Sequence, residues 1–223
     1  MGKIKSSEHV FIAGRTGSGK TFLAETYLAS FPNVIVLDTK GFFDWEIVGV
    51  VPFFDNFSDL QTFGEGKAIY RPSIYEMSDE FYNIFFQWIY ERMNCIVYID
   101  ELMSISTSSQ IPFFLKAILT RGRQRNTACW MSTQRPKTIP LVCMSEATHF
   151  FIFDLNLMDD RERISNIAGS NYFQYTPTQY AREHKIYKDY LFWYYNYKME
   201  NPTLNVLIRK NNDRQEVKQY GSS

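Results

Sequence analysis

Apolar residues in this chain gather into short continuous runs, each ending in polar or turn-forming residues, and longer stretches of helical period lie between them. HVFIA (residues 9–13), NVIVLD (33–38), CIVYIDE (95–101), TACWMSTQ (127–134) and THFFIFDL (148–155) are rich in β-branched and aromatic residues and lack the alternation of a half-exposed strand. They predict strands buried on both faces. KTFLAETYLASF (20–31), SDEFYNIFFQWIYER (78–92) and PFFLKAILTRGR (112–123) carry the 3.6-residue period of helices. Ser78 stands as an N-cap before two acids, and the helix after it is apolar nearly all round, so it is expected to be mostly buried. A short helix is expected after Pro136 and Pro140. Strands alternating with helices imply an α/β fold: a three-layer sandwich with a mainly parallel central sheet. Residues 42–77 read as irregular, with one strand near 68–71. DYLFWYYNYK and TLNVLIRK flank Glu200, Asn201 and Pro202 and predict a C-terminal β-hairpin, followed from Asn211 by a polar tail expected to lack fixed structure.

At 223 residues and 45% hydrophobic, the chain is long enough for one substantial core and is most simply a single domain, 1–223. Lys and Arg total 24 and so do Asp and Glu, so net charge neither supports nor excludes a nucleic-acid partner. Cys95, Cys129 and Cys143 are widely spaced within apolar segments, which favours reduced core thiols in a cytosolic compartment. No apolar run reaches the length of a membrane span, and a soluble chain is expected.

The stretch between the first strand and the first helix changes the picture most. It reads Gly14, Arg15, Thr16, Gly17, Ser18, Gly19, Lys20, Thr21. Glycines there let backbone N–H groups curl round phosphate oxygens at a helix N-terminus; Lys20 reaches the β- and γ-phosphates, and Thr21 offers a hydroxyl to Mg²⁺. ATP with Mg²⁺ is therefore the expected ligand. Asp100 and Glu101 close the strand of residues 95–101, as the metal-shell acid and the water-polarising base of a Walker B pair, an arrangement that favours hydrolysis over transfer to an acceptor. Gln134 closes another strand, placed to sense the γ-phosphate or the attacking water. Lys116, Arg121, Arg123, Arg125, Arg135 and Lys137 form a stretch without an acid between Leu102 and Ser145. That stretch reads as a solvated basic rim, as contacts to DNA phosphates, or as a source of an arginine acting on a neighbour's nucleotide.

The set GRTGSGKT, CIVYIDE, RGRQRN and STQRP, in that order and spacing and with LDTKG at 37–41, resembles the FtsK/HerA superfamily of P-loop ATPases. The likeness spans about residues 8–155, the motor core, and leaves 156–223 without a recognised motif. It implies an ATPase of RecA-like (ASCE) fold with Lys20, Glu101 and Gln134 catalytic and with Arg123 at the position of the family's arginine; Arg121, counted with it among the catalytic candidates, and Arg125 stay open as the arginine acting in trans. It also implies a homo-oligomeric ring, six being the expected number, around double-stranded DNA. The compact chain looks like the genome-packaging ATPases of tailless, membrane-containing viruses. That likeness implies a capsid or portal-vertex partner, contact with a membrane-bearing vertex, and a place in the virion and host cytoplasm. A helicase or conjugative DNA pump, a nucleotide-gated structural vertex protein and a small-molecule kinase are the alternatives. The aromatics of the predicted hairpin, Phe192 to Tyr195 with Tyr190 and Tyr197, are expected to turn one face to a subunit or capsid partner.

Overall fold

The computed structural model describes residues 3–45, 51–208 and 216–220. The first half of the chain forms β1 (Val10–Ala13), α1 (Lys20–Leu28), β2 (Val34–Leu37), β3 (Phe53–Phe54), α2 (Phe57–Gln61), β4 (Lys67–Tyr70), α3 (Asp79–Arg92) and β5 (Ile96–Ile99). The second half forms α4 (Phe113–Arg121), β6 (Ala128–Thr133), α5 (Leu141–Ser145), β7 (His149–Ile152), α6 (Met158–Ala168), α7 (Pro177–Glu183), β8 (Leu191–Asn196), β9 (Thr203–Ile208) and β10 (Glu216–Tyr220). The strands make one sheet in the order β10-β9-β8-β7-β1-β6-β5-β2-β4-β3. From β7 to β3 all pairings are parallel, and β8, β9 and β10 add on antiparallel.

The pleat divides the strand residues cleanly. Phe11, Ala13, Ile35, Leu37, Val97, Ile99, Cys129 and Met131 face α2 to α7, whereas Val10, Ile12, Val34, Val36, Tyr98 and Trp130 face α1. A single helix cannot cover so wide a sheet, and the aromatics of loops complete that layer. Phe43 packs on Tyr98 and meets Trp45 edge-on, while Phe31, just beyond α1, joins the helix's own Tyr27 on Trp130. The expected three-layer α/β architecture is therefore present, with unequal outer layers. All three cysteines are free and buried. Among the described residues, no helix is long and apolar enough to cross a membrane.

Several local expectations need correction. The segment 42–77 holds more order than its composition implied: besides β4 it forms β3, α2 and a 3-10 helix at Ile74–Glu76. Asn56 caps α2 by accepting from the Asp59 amide, and the Glu76 carboxylate accepts from the Phe57 and Ser73 amides. Residues 46–50 lie outside the described residues. Helix α3 is capped by Ser78 as expected. It buries only the Tyr82, Phe85, Phe86, Ile89 stripe, because its other aromatics lie half-buried along the rim.

The hairpin β8–β9 forms, but β8 is covered on both faces. Phe192 and Tyr194 pack on Phe151, while Trp193 meets Tyr172 and Tyr180 and donates its indole N–H to the Tyr175 carbonyl. Phe192, Trp193 and Tyr194 belong to the protein's own core, so the strand turns no uncovered aromatic face to a partner, whereas Tyr190 and Tyr197, just outside its two ends, stay half-exposed. Part of the polar tail is ordered too, as β10; residues 211–215 and 221–223 lie outside the described residues.

At the amino end of the central strands, His9 is buried and its Nδ1 accepts the Cys129 amide at 2.9 Å. Burial, with the charge of Arg123 nearby, lowers its pKa from 6.5 to about 4. Between those values the unfolded chain binds a proton that the folded chain refuses, so stability falls as pH drops through that window, by roughly 3 kcal/mol in all. His9→Asn keeps an acceptor for the Cys129 amide and removes the titration. Its denaturant-derived stability is expected to fall less between pH 7 and pH 4.5 than the parent's, by about 2 kcal/mol, and parallel pH profiles would refute the assignment.

Candidate active site

In a parallel sheet every strand delivers its carboxyl end to the same edge, and here four adjacent strands deliver their polar ends to one place. β1 runs into the glycine loop, β6 into Gln134, β5 into Asp100 and Glu101, and β2 into Asp38, Thr39 and Lys40.

The loop adopts its curl because Gly17 and Gly19 take positive φ of 73° and 102°, conformations that cost side-chain-bearing residues dearly. Gly14 is needed for a different reason. A Cβ there would sit 2.6 Å from the Phe153 Cβ and 2.7 Å from the Ser18 Oγ. Lys20 folds back beneath the loop and donates to the carbonyls of Gly14 (2.8 Å) and Arg15 (3.0 Å). Its burial lowers the ammonium pKa to about 8, against the opposing pull of Glu101 and Asp100.

Opposite, the Thr21 hydroxyl donates to Asp100 Oδ1 at 3.1 Å, and Tyr98 donates to the same oxygen at 2.9 Å. Burial raises the Asp100 pKa, and these two hydrogen bonds work against that rise. A hydroxyl and a carboxylate in contact beside a triphosphate seat fit Mg²⁺, which takes few protein ligands and completes its shell with phosphate and water.

Glu101 is buried and held through one oxygen. Its Oε2 accepts from Lys40 Nζ at 2.7 Å and from Gln134 Nε2 at 3.1 Å, while Gln134 Oε1 accepts from the Thr16 hydroxyl at 2.8 Å. A hydrogen-bonded string thus runs from the glycine loop through β6 to β5 and β2. Glu101 Oε1 is buried with no partner among the described residues and retains an acceptor position for a water.

Lys40 was foreseen only as part of a turn motif. The turn itself is built by Asp38, which accepts from the Gly41, Phe42 and Phe43 amides and pairs with Arg71 at 2.7 Å. Asp154, at the end of β7, was missed. Its carbonyl accepts the Arg15 amide and its carboxylate accepts from the Thr178 amide and hydroxyl, tying the start of α7 to the loop. A strand-end acid at the ligand edge was the available signal.

The arginines do not join this cluster. Arg123 follows α4 and donates to the Thr148 hydroxyl at 2.8 Å, at the amino end of β7. The length of β1 separates that end from the glycine loop, ~13 Å at a strand's usual rise. Arg121 is exposed at the end of α4, and its side chain makes no hydrogen bond or ion pair among the described residues. Nor is the acid-free stretch a continuous basic rim. Arg125 lies over the Tyr90 ring and donates to its carbonyl, Arg135 pairs with Asp160 at 2.9 Å, and Lys137 pairs with Asp159.

No protein-family model matches the chain, and no curated protein matches its sequence. Solved structures do match. The genome packaging NTPase B204 of Sulfolobus turreted icosahedral virus 2, in complex with ATPγS, superposes with a TM-score of 0.71 at 16% identity, over 90% of this chain and 98% of that one. The DNA-packaging ATPase B204 of Sulfolobus turreted icosahedral virus gives 0.63 at 17% identity, with coverage of 90% and 98%. The pCW3 conjugation coupling protein TcpA, in monomer form with ATPγS, gives 0.55 at 12% identity, over 89% of this chain and 59% of that one. The chain has the P-loop NTPase fold.

The Lys40–Glu101 pair is testable as a coupling. Lys40→Met is expected to cost about 2 kcal/mol by leaving a buried carboxylate short of its cation. In a Glu101→Gln background, denaturant titration should show less than half that cost; equal costs in the two backgrounds would show the pair to be uncoupled.

Proposed function

We propose that this chain is an ATPase of the FtsK/HerA type that moves double-stranded DNA, and that its task is viral genome packaging. The observation that carries the reading is the string Thr16–Gln134–Glu101–Lys40. It joins the phosphate loop to a strand-end base through a glutamine, an arrangement that serves water attack on a γ-phosphate and its coupling to movement.

In this reading ATP lies along the loop with its phosphates on the backbone amides, and Lys20 leaves the Gly14 and Arg15 carbonyls for the β- and γ-oxygens. Thr21 and Asp100 would hold Mg²⁺, whose charge offsets that of the phosphates. Glu101 orients a water at its free oxygen and takes its proton as the water oxygen bonds to the γ-phosphorus and the bond to the β,γ-bridging oxygen breaks. Gln134 feels the γ-phosphate through Thr16 and relays its loss to β6 and the helices packed on it. Arg123 and Arg121 stand too far from their own loop to assist, so their role belongs to the site of an adjacent copy and calls for a ring, expected to be a hexamer.

The likeness to the two B204 proteins, spanning nearly their whole length, supports packaging into a capsid through a capsid or portal-vertex partner, in the virion and host cytoplasm. The likeness to TcpA supports a second reading, a conjugative DNA pump of the same chemistry.

ATP turnover is expected to rise several-fold with duplex DNA and not with single strands; indifference to both would end the translocase reading. Glu101→Gln should leave ATPγS affinity within about threefold while lowering turnover by 100-fold or more, a size usual for loss of a general base. Arg123→Ala and Glu101→Gln subunits, each inactive alone, are expected to regain activity when mixed. In the mixture an intact base meets an intact arginine across one seam, and a silent mixture would remove Arg123 from the trans role.

A further inference from the structure

The catalytic groups occupy one flank of the glycine loop only. In the sheet order β8-β7-β1-β6-β5-β2, the groups that act on a γ-phosphate, Gln134, Glu101 and Lys40, all lie on the β6–β5–β2 side of β1. A nucleotide with its γ-phosphate there must extend its α-phosphate, ribose and base the other way, over β7 and β8. A cleft of about 560 Å³ opens at that place. Its floor is the loop at Arg15, Gly17 and Ser18, and its far wall is α7 with the segment leading into β8.

Tyr190 stands at the junction of cleft and loop under tight constraint. Its φ is +53°, the left-handed region, which is strained for a residue with a side chain. Its carbonyl accepts the Leu207 amide at 3.2 Å, so the β8–β9 hairpin holds it there. The ring is half-exposed, at 50%, and its Cδ1 lies 3.1 Å from where a Cβ on Gly19 would be. Gly19 therefore answers two demands, its own positive φ and the close approach of this ring. Arg15, Arg182 and Lys188 line the same cleft together with two acids, Asp189 and Asp154, the latter already engaged by Thr178.

We propose that this cleft is the seat of the base and ribose of a nucleoside triphosphate, with the Tyr190 ring as the platform on which the base stacks and with Arg182 and Lys188 facing the ribose and α-phosphate. The C-terminal extension then completes the nucleotide site, and the strain at Tyr190 is the cost of presenting a ring beside the phosphate loop. The assignment rests on the ATP-binding reading and goes beyond it, because the loop alone would hold a bare polyphosphate equally well.

Affinities of the full chain for ATPγS and for inorganic tripolyphosphate, both with Mg²⁺, separate the two. The parent is expected to prefer ATPγS at least tenfold. Tyr190→Ala should remove most of that preference while leaving tripolyphosphate affinity within twofold, and Tyr190→Phe should retain it, as stacking requires. Tyr190→Gly, which accepts the positive φ without strain, should behave as Tyr190→Ala and guards against a folding defect. Equal loss for both ligands, unchanged ATPγS affinity in Tyr190→Ala and Tyr190→Gly, or a parent that binds both ligands equally would overturn the cleft assignment alone. A parent that binds neither ligand would overturn it together with the ATPase reading.

Discussion

A carboxylate taken out of water costs several kcal/mol unless cations or N–H donors face it, and Glu101, only 4% exposed, meets that demand with Lys40 from the end of β2 and Gln134 from the end of β6. The pairing requires β2, β5 and β6 to be neighbours in parallel, with their ends in register, and the sheet supplies that order. Gln134 then spends its remaining acceptor on Thr16 in the loop beyond β1. One alignment of four strands thus satisfies a buried charge and brings Glu101, Gln134 and the glycine loop within reach of one another.

The two edges of the sheet carry different chemistry for the same geometric reason. Carboxyl ends of strands converge on the loop, and amino ends hold His9, Thr148 and Arg123. A helix that follows a strand runs back across the sheet, so the residues closing α4 arrive at the amino edge. An arginine there stands a strand's length from the glycine loop of its own chain. The acids that neutralise Arg135 and Lys137 come from the first turn of α6, an element the acid-free stretch of sequence does not contain.

How much was legible follows from how local each feature is. The glycine loop could be read because its chemistry depends on consecutive residues, and Asp100 and Glu101 because a buried strand before them fixes where they end. Ser78 was legible as a cap since capping spans a single turn. The aromatics of β8 were misread: successive large rings look like an uncovered face, and the rings that cover Trp193, those of Tyr172 and Tyr180, come from a segment whose pattern gave no warning. Asp154 escaped because it follows a strand whose neighbours were unknown, and Tyr190 was read only as one of the hairpin's aromatics because its approach to Gly19 is not visible in the sequence.

Residue order alone was enough to specify an alternating α/β chain, a glycine loop between strand and helix and two acids at the end of a buried strand, because hydrophobic runs, turn glycines and strand ends act over a few residues. Which strands lie side by side is a matter of long-range packing. That packing decided that Lys40 and Gln134 share one oxygen of Glu101, that Arg123 stands at the far edge, and that the C-terminal extension walls a cleft beside the loop. Hydrogen bonds and close contacts between residues more than a hundred positions apart, such as Thr16 with Gln134 and Gly19 with Tyr190, exist only once the sheet order brings them together.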